Sequence, residues 1–285
     1  MPQDKKGERI AKVIARAGLC SRRDAERLIA EGRVRVDGVL LGSAAVNVAP
    51  AARITVDGED LPAREPARLW RYHKPKGVLS TARDPQGRPT VIGQLPSNLP
   101  RVVTVGRLDM NSEGLLLLTN DGGLKRKLEL PATGWTRRYR VRVHGAVDPA
   151  RLKALESGVR VSGIDYGPIE ARLERQTGAN AWLSIALKEG KNREIRHVME
   201  HLGLTVNRLI RVAYGPFQLG RLPPGKVAAV PAKVLHEQLG PDESGGGDAK
   251  TKARKPRAGW AKARPRRKKI SKRKGAGRAH RGRKA

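Results

Sequence analysis

Between Gly106 and Gly122 the chain reads GRLDMNSEGLLLLTNDG, and this stretch holds the residues best placed to do chemistry. Asp109 follows Arg107 by two positions and precedes a run of four leucines, Leu115 to Leu118, by six. Four leucines between a glycine and a TNDGG turn predict a short strand buried on both faces. The spacing therefore puts a carboxylate and a guanidinium on a loop at the mouth of a packed core. A carboxylate there suits a nucleophile or a general base, and the same pair would also serve as an ion pair closing a tight turn.

The elements that must position this loop are legible on both sides of it. In residues 7–66, Ile10, Val13, Ile14 and Ala17 have helical spacing and Gly18 is a stop. Ser21 then opens a capping box with Asp24, and a second helix runs to about Glu31 with Leu28 and Ile29 facing inward. RVRVDGVLL alternates apolar and basic residues up to a hairpin turn at Asp37-Gly38, and Ile54 to Gly58 repeats the strand-then-turn signal. PAREP, residues 62–66, reads as a linker.

Residues 67–240 form a second unit. It opens on a strand ending in HKPKGVLST, followed by RDPQGRPTV, with Lys74, Lys76, Arg83 and Arg88 expected on the loop between. RRYRVRVHG has a period of two, with Tyr139, Val141 and Val143 on one face and Arg138, Arg140 and Arg142 on the other. Asp148-Pro149 starts a helix, IEARL and AWLSIALKEG are strands, and NREIRHVMEHLG switches to helical period through Ile195, Val198, Met199 and Leu202. RLIRVAYGPFQLG returns to strand and turn. Many strands with few helices predict an α+β fold on a mixed, mostly antiparallel sheet.

Net charge is +32 and the pI about 11.3, which requires a polyanionic partner. Residues 241–285 carry 18 lysines and arginines against three acids, so the preceding residues are still strongly basic. Nucleic acid fits better than an anionic membrane, because no amphipathic basic helix or lipidation motif is present. Residues 241–285 lack the apolar content for a core and are expected to be a disordered basic tail, with Trp260 available to stack on a base. Cys20 is the only cysteine, which excludes an intrachain disulfide and a cysteine-rich zinc site. With no apolar leader or spanning segment, a cytoplasmic protein is expected.

CSRRDAERLIAEGRVRVDG resembles an S4 RNA-binding domain. GRLD with its leucine strand, HKPKG, RRYRV and EGKNREIR together resemble the rRNA pseudouridine synthases, over roughly residues 8 to 235. The resemblance implies a small S4-like domain of two helices and a β-ribbon, then a synthase domain. It implies isomerisation of uridine in rRNA, most closely the branch acting on large-subunit rRNA. It also assigns catalysis to Asp109, Tyr139 and Arg196, with Arg196 holding the Asp109 carboxylate charged and aimed. The expected RNA contacts are Arg22, Arg23, Arg27, Arg33, Arg35, Lys74, Lys76, Arg88, Arg107, Lys191 and Arg193.

The reaction breaks a C–N glycosidic bond, turns the base and forms a C–C bond, so no cofactor is expected, and the protein is expected to act as a monomer. His197 and His201 have the i, i+4 spacing of a metal pair but lack the HExxH glutamate, so no metal is expected. Gly190-Lys191 lacks the remainder of a P-loop. The alternative from another class is a non-catalytic RNA-binding assembly factor on the same fold; it would have no use for Asp109.

Overall fold

A computed structural model of the chain describes residues 7–240; the basic tail, with Trp260, lies outside the described residues. Near the start, β1 (Glu8–Arg9) runs into α1 (Ile10–Arg16), and α2 (Arg22–Ala30) begins at Ser21. The Ser21 hydroxyl accepts from the Asp24 amide at 3.1 Å and donates to the Asp24 carboxylate at 2.7 Å. The box therefore closes on the hydroxyl rather than on the Ser21 backbone. The ribbon comprises β2 (Val34–Val36), β3 (Val39–Leu40), β4 (Asn47–Val48), β5 (Ile54–Val56) and β6 (Glu59–Asp60), with sheet order β3-β2-β5-β6 and a separate β1-β4 pair. Both Asp-Gly turns have positive φ at both residues, as a tight hairpin requires. Ile10, Ile14, Ala25, Ile29, Val34 and Val56 form the core of this unit, while Leu28 packs at its edge.

Three ion pairs join this unit to the next. Asp121 receives Arg64 at 2.9 Å and Arg16 at 3.8 Å, and Arg83 reaches Asp24 at 3.7 Å. Asp121 also caps its own helix, accepting from the Gly123 and Leu124 amides. A buried carboxylate with this many donors is well compensated.

The second unit is built on β7 (Leu69–Lys74), α3 (Val91–Gln94), β8 (Val103–Val105), β9 (Glu113–Thr119), α4 (Gly122–Glu129) and β10 (Arg137–His144). It continues through α5 (Pro149–Ala154), β11 (Val159–Val161), β12 (Ile164–Tyr166), β13 (Ile169–Thr177), β14 (Asn180–Leu187) and α6 (Glu194–His201). It ends with β15 (Thr205–Tyr214), β16 (Phe217–Gln218), β17 (Val227–Ala229) and α7 (Ala232–Leu239). Nine strands make one sheet in the order β13-β14-β10-β15-β9-β7-β17, with β8 on β9 and β16 on β15. The pairing of β15 with β9 is parallel and the others in this sheet are antiparallel, so the sheet is mixed and mostly antiparallel.

The leucine run lies at the centre of this sheet and serves two cores. Leu116 and Leu118 pack with Tyr72, Val141, Leu183 and Val198 on one face. Leu115 and Leu117 pack with Leu124, Leu128, Tyr214 and Leu235 on the other. Burial on both sides is what four consecutive leucines in a strand dictate.

Gly114, at the head of this strand, has φ +102, and a Cβ there would lie 2.3 Å from the Arg211 carbonyl oxygen. The parallel register brings Arg211 directly opposite Gly114. Gly114→Ala should therefore lower unfolding stability by more than about 2 kcal/mol in urea titrations, because strain and a backbone clash act together. A loss under about 0.5 kcal/mol would show that the β9–β15 seam has slack.

Candidate active site

Asp109 sits on the loop between β8 and β9, half-buried, at a cavity of about 260 Å³. The cavity is also lined by Arg107, Tyr139, Arg137, Lys191, Arg193, Glu194, Arg211 and Tyr214. The sheet explains why distant segments meet here. Tyr139 in β10 lies directly opposite Arg211 in β15, and β15 lies beside β9, which the Asp109 loop enters.

Among the described residues, the Asp109 carboxylate accepts no hydrogen bond and forms no ion pair; the loop is fixed through its backbone. The Gly106 amide donates to the Glu129 carboxylate at 2.5 Å. Ser80 brackets Leu108, donating to its carbonyl at 2.8 Å and accepting from its amide at 3.1 Å. The Gly77 amide donates to the Met110 carbonyl, and the Ser112 amide to the Asp109 carbonyl. The Lys74 ammonium donates to the carbonyls of Pro75, Met110 and Ser112, the last at 2.8 Å. Arg196 donates to the Asn111 carbonyl at 3.0 Å and to Val206 at 3.1 Å. Each of these bonds orders the backbone and leaves the carboxylate oxygens free for a ligand.

Several expected site residues lie elsewhere than the sequence suggests. Lys74 is not on an exposed RNA-binding loop: it is the last residue of β7, wholly buried, opposite Gly114. Burial pushes its ammonium down to about 8, against the pull of Asp109 and Glu113. Arg196 makes no ion pair with Asp109; its guanidinium holds the loop two residues further on, and its Nε is buried without a partner. Burial lowers its pKa, as does Arg193, while Asp109 raises it, so the two side chains interact through space. Arg107 likewise forms no pair with Asp109 and is exposed at the cavity.

The remaining basic residues divide by what already holds them. Arg33 is held bidentately by Asp57 and also by Glu31, Arg27 lies between Asp24 and Glu31, and Arg35 donates to the Gly38 carbonyl. Arg88 closes on Asp84. Arg22, Arg23 and Lys76 are exposed and have no carboxylate partner among the described residues. Lys191 bonds to Glu189 at 2.8 Å and lies over the Tyr166 ring. Arg193 adopts φ +49 as the N-cap of α6, which turns the chain from the cavity wall into the helix.

Sequence reasoning missed Ser80, Glu129, Arg137, Arg211 and Glu194. Arg211 is buried, with Nε on the Leu115 carbonyl at 2.7 Å and one terminal nitrogen unpartnered. Arg137 packs over the Tyr214 ring and donates to the Lys188 carbonyl. Glu194 had a local signal, the i to i+3 spacing from Lys191, whose amide it accepts at 2.9 Å. Glu194 lies near Glu189, which accepts from the Gly167 amide, and one Glu194 oxygen is buried without a partner. Burial first, and then the charge of Glu189, raises the Glu194 pKa to about 7. No group of three or more metal-ligating side chains occurs among the described residues, and no helix among them is long and apolar enough to cross a membrane. A cavity of about 1080 Å³ lies against α1 and the linker and is walled by Arg9, Lys12, Arg16, Arg53 and Arg64; its carboxylates, Glu8 and Asp60, are held in ion pairs by Lys12, Arg16 and Arg53.

Comparison with known proteins identifies the families that the chain matches. Residues 68–201 match the RNA pseudouridylate synthase family and residues 8–59 the S4 domain family. An uncharacterized RNA pseudouridine synthase of Rickettsia felis is 47% identical over 230 residues, covering 81% of this chain and all of the relative. Ribosomal large subunit pseudouridine synthase B of Escherichia coli (strain K12) is 44% identical over 229 residues, covering 76% of this chain and 77% of the relative. A crystal structure of a pseudouridylate synthase superposes with a TM-score of 0.57 at 24% identity, covering 81% of this chain and all of that one, which shows a shared fold.

Two outcomes follow from the clamp and the carboxyl pair. Lys74→Met should lower kcat by more than about 10-fold with RNA affinity within about twofold of wild type, because the lysine orders Asp109 and does not touch RNA. Single-turnover and filter-binding measurements separate the two; a loss confined to affinity would return Lys74 to the RNA interface. Glu194 holds its proton more tightly folded than unfolded. Its contribution is complete below the ordinary glutamate value of 4.5 and is lost as pH rises through about 7. Glu194→Gln keeps the neutral hydrogen bonds, so at pH 8 it should be more stable than wild type by roughly 1–3 kcal/mol, and the difference should vanish near pH 4, below the ordinary glutamate value. Equal stability differences at both pH values would show that the Glu194 carboxyl is not raised by burial.

Proposed function

From the membership of the chain in the RNA pseudouridine synthase family, we propose that it converts a specific uridine of large-subunit rRNA to pseudouridine, with Asp109 as nucleophile. One observation carries the role of Asp109: a half-buried carboxylate without partners, on a backbone-clamped loop, opens into a basic cavity. The Escherichia coli relative, whose name specifies the large ribosomal subunit, supports the substrate. The proposed layout is an S4-like RNA-binding unit over residues 7–66, a catalytic unit over 67–240 and a basic tail over 241–285, in a monomeric cytoplasmic enzyme.

A cavity of about 260 Å³ cannot admit a stacked helix, so the target base is flipped into it. Arg107, Lys191 and Arg193 at its walls take the flanking phosphates. The Asp109 carboxylate attacks, either at ribose C1′ or at C6 of the base, and the N1–C1′ bond breaks. The uracil turns within the site, C5 bonds to C1′, and the bond to Asp109 breaks, which returns the free carboxylate. The C5 proton then leaves to solvent and N1 gains a proton, so the product has the same atoms as the substrate. Tyr139, 9% exposed with its ring on the cavity wall, stacks the base and places its hydroxyl near the proton that departs. Arg196 stabilises the charged carboxylate from behind the loop by holding the Asn111 carbonyl. Arg22 and Arg23, free of carboxylates, dock RNA on the S4-like unit.

Tritium release from rRNA transcripts labelled as 5-³H-uridine tests the whole reading. Wild type should release tritium from large-subunit rRNA and not from small-subunit rRNA, and Asp109→Asn should lose at least about 10³-fold in rate with its RNA affinity intact. Release from small-subunit rRNA alone would overturn the substrate assignment, and normal release by the Asn variant would overturn the role of Asp109.

A further inference from the structure

The large sheet has two faces, and one of them is only half covered. On that face, α4 and α7 pack over β7, β9 and the end of β15 through Leu115, Leu117, Leu124, Leu128 and Leu235. Over β13, β14 and β10 no described element covers the same face. Its side chains are those that alternate with the buried ones. Tyr139, Val141 and Val143 point into the core and the catalytic cavity, so Arg138, Arg140 and Arg142 point the other way, and all three are exposed. On β14, Ala181, Leu183, Ile185 and Leu187 are buried while Trp182, Ser184 and Ala186 are half-exposed.

The register sets these residues in rows across the strands. Trp182 stands opposite Arg142 on one side and Arg175 on the other, and Arg142 is in turn opposite Arg208. Ser184 stands between Arg140 and Arg172. The Arg140 guanidinium lies 4.8 Å from the Trp182 ring centroid and also bonds Glu174, while Arg208 is held bidentately by Glu113. Arg138, Arg142, Arg172 and Arg175 have no carboxylate partner among the described residues. Like charges on neighbouring strands destabilise a sheet, and a face that only meets water is normally mixed in sign. This face sets six arginines, Arg138, Arg140, Arg142, Arg172, Arg175 and Arg208, against three glutamates, Glu113, Glu170 and Glu174, around one tryptophan, and so stays strongly positive.

We propose that the open half of this sheet face is a second RNA-binding surface, which holds a single-stranded segment of the substrate RNA away from the catalytic cavity. Successive outward residues of β10 recur about every 6.8 Å, close to the spacing of successive phosphates along a nucleic-acid strand. Trp182 supplies a ring on which a base stacks, and Arg138, Arg142 and Arg175 supply charge to the backbone beside it. The basic tail of the same chain carries the same sign of charge as this surface, so charge complementarity favours an anionic occupant. Because Tyr139 and Arg138 lie on opposite faces, one RNA that reaches both must pass around the sheet edge at β13, so this surface acts on long RNA and not on the flipped nucleotide.

The inference rests on the chain acting on RNA, and not on which rRNA it modifies. The test uses the full chain with Arg138→Glu, Arg142→Glu and Arg175→Glu combined, the same three positions changed to Ser, and Trp182→Ala alone. Binding to a large-subunit rRNA transcript is measured against salt, and tritium release is measured at saturating RNA. The Glu triple should bind at least 10-fold more weakly at 0.1 M salt, and the Ser triple should flatten the log–log salt slope by about 2. Trp182→Ala should weaken binding several-fold and abolish photocrosslinking of RNA to this strand. Saturated tritium release should stay within about twofold for all three. Unchanged affinity and slope in both triples would overturn the surface, as would an equal fall in saturated release in the Ser triple. If wild type bound rRNA but released no tritium, the proposed reaction would fail while the binding comparison still decided this surface.

Discussion

A carboxylate kept free for a substrate has to be held in place by everything except its own oxygens. That constraint organises this molecule. The Asp109 loop is tied through its amides and carbonyls, and the central tie is an ammonium buried in the sheet, Lys74, whose hydrogen bonds go to the carbonyls of Met110 and Ser112, just after Asp109. Burying a charged amine is costly, and the lowered pKa of Lys74 records that cost. Carbonyl oxygens compensate it without neutralising Asp109. An acidic partner for Lys74 would have provided a better ion pair and a poorer site, since it would have added negative charge beside Asp109.

The sheet makes this clamp possible. Lys74 ends β7 and Gly114 begins β9 directly opposite it, so the ammonium is delivered at the height where the loop enters the sheet. Gly114 must be glycine because β15 passes within contact distance on its other side. β15 in turn carries Arg211 and pairs with the strand of Tyr139. The parallel seam between β9 and β15 thus joins the Asp109 loop to the aromatic wall of the cavity. The four leucines anchor the seam from both faces, Leu116 and Leu118 to one core and Leu115 and Leu117 to the other.

What could be read from the sequence follows the range of the interaction. The helix cap at Ser21, the Asp-Gly turns, the buried leucine strand and the alternation of β10 are set by residues within a few positions of each other, and they stand as the pattern implied. The approach of Tyr139 to Asp109 was legible only through resemblance, because it depends on strand order. Lys74 was misplaced for a related reason. A lysine beside Pro75 and Lys76 has the local character of an exposed loop, and its burial is decided by carbonyls 36 and 38 residues away. Arg196 was placed on the right element and near the right loop, but the atom it holds is a carbonyl. No periodicity distinguishes a guanidinium aimed at a carboxylate from one aimed at the backbone two residues further on. Ser80 serves the loop through two long-range bonds and Glu129 through one, and neither leaves a local trace in the sequence.

The small cavity also dictates where the binding energy must come from. Unstacking a base costs a few kcal/mol, and a pocket that closes around one nucleotide offers few contacts before the base has left its stack. The energy for that step has to be supplied by parts of the protein that meet RNA before the base enters. Charge pairing within the protein indicates which parts these are. Arg27, Arg33, Arg53 and Arg88 are already satisfied by Asp24, Asp57, Asp60 and Asp84, and can contribute to RNA only by giving up a partner. Arg22, Arg23, Arg107, Arg138, Arg142 and Arg175 have no such partner to lose. Each phosphate they meet releases a counterion without breaking an internal bond. In a chain this basic the count of arginines is therefore a poor guide to the interface, and the distribution of its few carboxylates is a better one.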